Sequence, residues 1–180
     1  MNIFDLQKFA ENKLEAIQGK RIIYLFRVAG DSAKEDATVV AFQTEGERDI
    51  QKDADSTATK SGSIRTPSVA EIEITTTSVL AKGDKLIDKL EEAMLSNQLI
   101  ECWEVNLDEP GTEADANKYK AKYYQGYITE LDITVNAEDA AEVEITYGAN
   151  GNGASGYATV SDDQKEIASY VFKDVVKEAE

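Results

Sequence analysis

The sequence predicts a mainly β chain with segregated helices, an α+β arrangement in which an antiparallel β-sandwich or partial barrel carries a flanking α-helix. Apolar and polar residues alternate over several short segments, the period of a half-buried strand, as in Glu71-Ile72-Glu73-Ile74. Helical spacing is confined to three places, and no strand-helix-strand alternation links them as a parallel sheet would require. At 180 residues, 42% apolar and 30% charged, the chain suits one domain without internal repeats. A domain of this length buries roughly 70% of its unfolded surface, enough for a core that needs no staples.

Taken in order, Ile3, Leu6, Ala10, Leu14 and Ile17 form a helical stripe that Gly19 ends. Residues 1–18 therefore read as a helical extension, or as a frayed end, before a domain spanning 19–180. The run Ile22-Ile23-Tyr24-Leu25-Phe26 predicts a strand buried on both faces. Residues 38–44, with Val39, Val40 and Phe42, read as its partner across a turn at 30–36.

Residues 53–67 hold one large apolar side chain, Ile64, and cannot build a core. A long loop is expected here, and uncovered loops of about fifteen residues are usually functional or disordered. Two readings stay open. One is a loose hairpin tip. The other is a segment ordered against another subunit, through Asp53, Asp55, Ser56, Thr57, Thr59, Lys60, Ser61, Gly62 and Ile64.

Residues 69–79 alternate apolar with acidic, and the pattern returns in Glu130-Leu131-Asp132-Ile133 and in Glu142-Val143-Glu144-Ile145. Each such strand turns carboxylates to one face. Between them Asp84 is placed to N-cap a helix whose stripe is Leu86, Ile87, Leu90, Ala93 and Met94, ending near Asn97. Residues 99–107 predict a strand containing Trp103, 108–117 a loop, and 119–135 either one long strand or a hairpin bent near Gly126. The glycine-rich stretch 150–156 lacks a following Lys and reads as a flexible connection, not a phosphate cradle. Ser161 and Gln164 match a capping box before a closing helix faced by Ile167, Ala168, Val171, Phe172 and Val175.

Composition then removes whole classes of chemistry. The chain has no histidine, so Ser-His-Asp and Cys-His catalysis and imidazole metal sites are excluded. Its one cysteine, Cys102, lies in an apolar segment and reads as a core thiol without a disulfide partner. Thirty-five acidic against 19 basic residues give a net charge of −16, which disfavours capture of phosphate backbones and of anionic membranes. No run approaches the ~20 apolar residues of a membrane span, and the start lacks a leader pattern. With so many acids, paired carboxylates signal no active site, and neither Asp53-Ala54-Asp55 nor Asp162-Asp163 continues into an EF-hand loop. No enzyme activity, metal or cofactor is expected.

Five segments together resemble the major tail protein family of long-tailed phages with non-contractile tails. They are the Asp-x-Asp-Ser-Thr-x-Thr-Lys-x-Gly pattern within 53–64, Leu80-Ala81-Lys82-Gly83-Asp84, Cys102-Trp103-Glu104, Tyr123-Tyr124-Gln125-Gly126-Tyr127 and Gly156-Tyr157-Ala158-Thr159. The resemblance runs from about Gly19 to Asp174, and the first eighteen residues look like an addition before the usual start. It implies a tail-tube β-sandwich made in the host cytoplasm and carried in the virion. Copies would assemble as hexameric rings stacked into a tube that conducts genomic DNA, with tape-measure and tail-terminator proteins as further partners.

On that reading Glu71, Glu73, Glu142 and Glu144 would line the bore. Six copies at −16 each bring −96 formal charges around a polyanion. Repulsion acts within a Debye length of about 8 Å, which is where adhesion has to be prevented. Two alternatives from other classes remain. One is an acidic β-sandwich binding module for surfaces or carbohydrates, using Tyr119, Tyr123, Tyr124 and Tyr127 as a platform. The other is a DNA-mimic protein; self-assembly separates both from a tube subunit.

Overall fold

The computed structural model describes residues 16–168. Ten strands and two α-helices are present there: β1 Ile22–Val28, β2 Thr38–Val39, β3 Gln43–Gln51, β4 Ala54–Thr59, β5 Gly62–Pro67, β6 Glu71–Val79, α1 Lys85–Leu95, β7 Ile100–Pro110, β8 Tyr119–Thr134, β9 Glu142–Ala149, β10 Ala154–Ala158 and α2 Asp162–Ala168. Most of the expected N-terminal helix, and the stripe positions Val171, Phe172 and Val175, lie outside the described residues. Residues 16–18 are not helical, and Gly19–Arg21 form one 3₁₀ turn.

Eight strands make one antiparallel sheet in the order β2-β1-β7-β8-β9-β6-β3, with β10 also paired to β8. The long β8 organises it. Residues 120–126 pair with β7 on one edge, while the other edge pairs with β9 over 126–134 and with β10 over 119–123. The segment 119–135 is thus a single strand with a bulge near Thr129 and no hairpin at Gly126. Gly126 is needed for another reason: a Cβ there would lie 2.0 Å from the carbonyl oxygen of Gly148 on β9.

The sheet curls over on itself. Strands β1 and β3 stand near opposite ends of the order, yet a Cβ on Gly46 of β3 would meet the Tyr24 ring of β1. Arg48 of β3 likewise reaches Glu104 of β7. Inside the curl lie Tyr24, Phe26, Ile74, Ile100, Cys102, Tyr124, Val143, Ile145 and Tyr147, all buried. Helix α1 covers this core with Leu86, Ile87, Leu90 and Ala93, and Asp84 caps it by accepting from the Leu86 N–H at 2.8 Å. Burying each of those larger aliphatic side chains stabilises by roughly 2 kcal/mol. Burial pushes the Cys102 thiol well above its usual range, with Glu104 adding to the effect, so it stays protonated in the core.

A second apolar cluster lies on the outer face of β1, β7 and β8, built from Ile23, Leu25, Val39, Val105, Leu107, Ala121 and Val160. Two faces of β1 are therefore buried, as the unbroken apolar run predicts. The capping box before α2 forms in both directions, Gln164 N–H to Ser161 Oγ at 3.2 Å and Ser161 N–H to Gln164 Oε1 at 2.8 Å.

Two expectations change. The strand read at 38–44 pairs with β1 only at Thr38 and Val39; Phe42 then adopts φ 51° and the chain crosses to the far edge as β3. The turn lets a single apolar-looking run serve two distant places in the sheet. The glycine-rich 150–156 stretch is a tight turn, with Gly151 and Gly153 at positive φ, that resumes pairing to β8 as β10.

Candidate functional site

Two features stand out by their lack of internal purpose. The first is the solvent face of the four-stranded part β3-β6-β9-β8. Cross-strand rungs align Asp49 with Glu73, Glu45 with Thr77 and Glu144, and Glu144 with Asp132. Glu71 and Glu142 extend the same face on β6 and β9, and Glu47 and Glu130 flank Thr75 and Thr146. All four acids picked out by alternation, Glu71, Glu73, Glu142 and Glu144, are exposed and share it. Nine carboxylates are gathered with no Lys or Arg at the outward positions of these strands, among the described residues. Like charges directly opposite one another destabilise a sheet, so the isolated chain gains nothing from this arrangement.

Sequence reasoning missed Glu45, Glu47 and Asp49. Their period-two spacing was visible, but the inward positions between them are Gly46 and Arg48, so β3 lacks the apolar half of the alternation. Tertiary contact replaces it. Gly46 makes room for the Tyr24 ring, and the Arg48 guanidinium is turned inward, 24% exposed, to Glu104 and Tyr124. Burial works against that charge, but the Tyr124 hydroxyl and Glu104 outweigh it and raise the Arg48 pKa.

The acid-faced sheet also has two open edges. The outer edge of β3 and the β7-side edge of residues 127–134 carry no strand pairing among the described residues. Ile133 and Val135 are exposed beside the second edge, and Ile50 lies exposed on β3.

The second feature is the segment 53–67, which is a β-hairpin and not a loop. Strands β4 and β5 pair from Ala54↔Pro67 to Thr59↔Gly62 around the two-residue turn Lys60-Ser61. Thr59 Oγ1 donates to the Gly62 carbonyl at 2.7 Å and accepts from the Ser61 N–H, while Gly62 takes φ 133°. Asp53 closes the base by accepting from the Ser68 N–H at 2.7 Å. Every residue of β4 and β5 is exposed, Ile64 by 60%. A lone two-stranded ribbon is at best marginally stable in water, so the hairpin has its backbone pairing but no packing of its own. Asp55, Thr57, Thr59, Gly62 and Ile64 share one face by register, with Ser56 on the other.

The tyrosines do not form a common platform. Tyr124 is buried and accepts from Arg48, Tyr123 donates to Glu101 at 2.6 Å, and Tyr119 packs on the outer apolar cluster. Among the described residues no group of His, Cys, Asp and Glu could hold a metal ion, and no helix is long and apolar enough to cross a membrane.

Comparison with known proteins agrees with this architecture. The family model for phage tail tube protein matches residues 16–154. A putative tail protein of Staphylococcus phage phiMR25 is 35% identical over 158 residues, covering 86% of this chain and 81% of that protein. In fold, the chain is similar to the tail tube protein of phage SPP1, with a TM-score of 0.67 at 19% identity over 91% of this chain and 96% of that one. It is also similar to a subunit from the tail of a gene transfer agent particle, with a TM-score of 0.59 at 14% identity over 80% of this chain and 100% of that one. A chain matched over most of its length by that family model, and folded as a curled antiparallel sheet, is a structural component of the virion: it belongs to the phage tail tube protein family.

Proposed function

We propose that copies of this chain close into six-membered rings that stack into a tube, with the acidic face of β3-β6-β9-β8 turned to the bore and genomic DNA passing along it. The observation that carries the reading is the cation-free acidic face bounded by two open strand edges. An unpaired edge is a template for another strand. Joining the outer edge of β3 to residues 127–134 of the next copy is a head-to-tail contact, which gives a ring when the rotation closes. Each ring would then present a continuous carboxylate wall. Duplex DNA carries about one charge per 1.7 Å and binds wherever Lys and Arg release its counterions, so a wall without them lets it slide.

Hairpin β4–β5 extends from the end where Gln51 pairs with Glu71, beyond the acid-faced sheet. Its exposed ribbon is proposed to lie against a neighbouring subunit or ring, which would supply the packing it lacks. Tape-measure and tail-terminator proteins are the partners the family implies along the bore and at the tube end. Electron microscopy of the purified full chain tests the reading. Tubes of uniform diameter with a hollow centre are expected at high concentration; a chain that stays monomeric there overturns it.

A further inference from the structure

Each open edge of the acid-faced sheet carries an uncovered apolar side chain on the face opposite the acids. On β3 it is Ile50, which pairs with Ile72 and is 52% exposed although it shares the inward face with Gly46 and Arg48. On β8 it is Ile133, which pairs with Val143 and is 46% exposed, with Val135, 73% exposed, just beyond the strand. They stand at opposite corners. Ile50 lies level with Ile72 of β6, whereas Ile133 lies, through Val143, level with Ser78, six residues or about 20 Å further along that strand. Within one copy neither corner can cover the other.

We propose that Ile50 of one copy packs on Ile133 of the next, a contact that sets the register in which β3 joins β8 around the ring. The inference rests on the ring reading above and specifies it. Strands β8, β9, β6 and β3 alternate in direction, so β3 runs opposite to β8. A rotation about the tube axis keeps each strand's direction along that axis, so the two edges meet antiparallel. Closing a sheet tilts its strands by about 35–45°, which over four strands spaced about 4.8 Å apart staggers successive copies by roughly 13–19 Å, or about four to six residues. The stagger must be even, because an odd one turns the acids of the next copy to the opposite face. Only one direction serves. The other slides β3 toward residues 120–126 of β8, whose edge is occupied by β7.

Charge and apolar cover then choose between four and six. Without stagger, Glu47 meets Glu130 and Glu45 meets Asp132 of the neighbour; a stagger of four sets Asp49 against Asp132 and Ile50 against Leu131, which already packs on its own core. A stagger of six sets Gln51 against Asp132, Ile50 against Ile133 and Asp49 against Thr134. No like charges are opposed on those rungs, and both exposed isoleucines are covered.

Cysteine pairs read the register directly in tubes of the full chain. Under mild oxidation, Ile50→Cys with Ile133→Cys should give a ladder of covalent oligomers that stops at six copies, since Cys102 is buried and does not compete. Gln43→Cys with Ile133→Cys, the pair opposed without stagger, and Ile50→Cys with Leu131→Cys, the pair opposed at four, should stay monomeric on the same non-reducing gel. A ladder from either of these, or tubes that give none from the first pair, overturns the register and leaves the ring standing. An unsubstituted chain that forms no tubes removes the ring, and the register with it. Ile50→Asp needs no cross-linking: the side chain is half exposed in the single copy, so the unfolding midpoint should hold while the concentration needed for tubes rises about tenfold or more. Tubes from that variant at the unsubstituted chain's concentration overturn the proposal.

Discussion

Arg48 on the edge strand β3 and Glu104 on β7 meet at 3.0 Å across the inside of the curled sheet, joining strands that are separated by β6, β9 and β8 in the hydrogen-bonded order. Glu104 also accepts from the Tyr24 hydroxyl at 3.3 Å, and Arg48 Nη1 donates to Tyr124 at 3.1 Å. The Arg48 Nε–H is not aimed at an acceptor, so the contact with Glu104 acts by charge and not as a directed hydrogen bond. The side chains are only 24% and 15% exposed. Removing one partner leaves a largely buried charge, so Arg48→Met and Glu104→Gln should each cost about 2 kcal/mol, discounted from the ~3–5 kcal/mol of a fully buried pair. The double variant should lose less than the sum, as read from a urea-unfolding double-mutant cycle.

Two glycines on adjacent strands, Gly126 of β8 and Gly148 of β9, should respond to the same substitution to very different degrees. Gly126→Ala drives a Cβ into the Gly148 carbonyl, a backbone atom that cannot rotate aside, and should cost about 3 kcal/mol or prevent folding. Gly148→Ala meets only the Thr129 methyl at 3.3 Å and should cost less than 1 kcal/mol. Thermal unfolding of the two variants checks the contrast.

Hairpin β4–β5 contributes no buried side chain to the domain. Deleting residues 56–63 should therefore leave the unfolding midpoint nearly unchanged while abolishing tubes seen by electron microscopy. Normal tubes from the deleted chain would remove the hairpin from the assembly contacts.

Reversing Glu71, Glu73, Glu142 and Glu144 to Lys replaces cross-strand repulsion with attraction toward Asp49 and Asp132, so rings should form at least as well. DNA ejection from virions carrying the variant should slow, and slow most at low salt, where counterion release is strongest. Unchanged ejection kinetics would place these acids away from the DNA path.

Alkaline stability should follow the core tyrosines. Burial first, and Glu104 next, raise the Tyr24 hydroxyl well above its ordinary pKa of 10.0, and burial raises Tyr147 as well. Tyr124 moves in the same direction, burial being the main cause. A raised folded-state pKa means that the folded chain holds its proton more tightly than the unfolded one. Stability is thus complete below pH 10 and falls as pH rises above it. Unfolding midpoints measured from pH 8 upward, with tyrosinate absorbance as a second probe, should show ionisation of these residues only together with unfolding.

Much of the acidic face is legible in the sequence. The alternation of Glu71 to Ile74 and of Glu142 to Ile145 marks both the strands and their acidic face, because each inward position is filled by a large aliphatic side chain. Asp84 and Ser161 announced their helices because a cap is a local interaction within four residues. Residues 53–67 read as a loop because all of their side chains are exposed and strand propensity reflects packing more than backbone preference.

From sequence alone came the absence of histidine, the charge of −16, the paired-face strands and the capped helices, since composition and short-range periodicity need no knowledge of distant contacts. Only the tertiary structure decided that β3 lies at the far edge from β1, that its Glu45, Glu47 and Asp49 join the acids of β6, β8 and β9, and that Arg48 and Gly46 face inward. Those outcomes depend on which strands pair across long separations, and pairing is fixed by the curl of the whole sheet around one core, which no local stretch of residues contains.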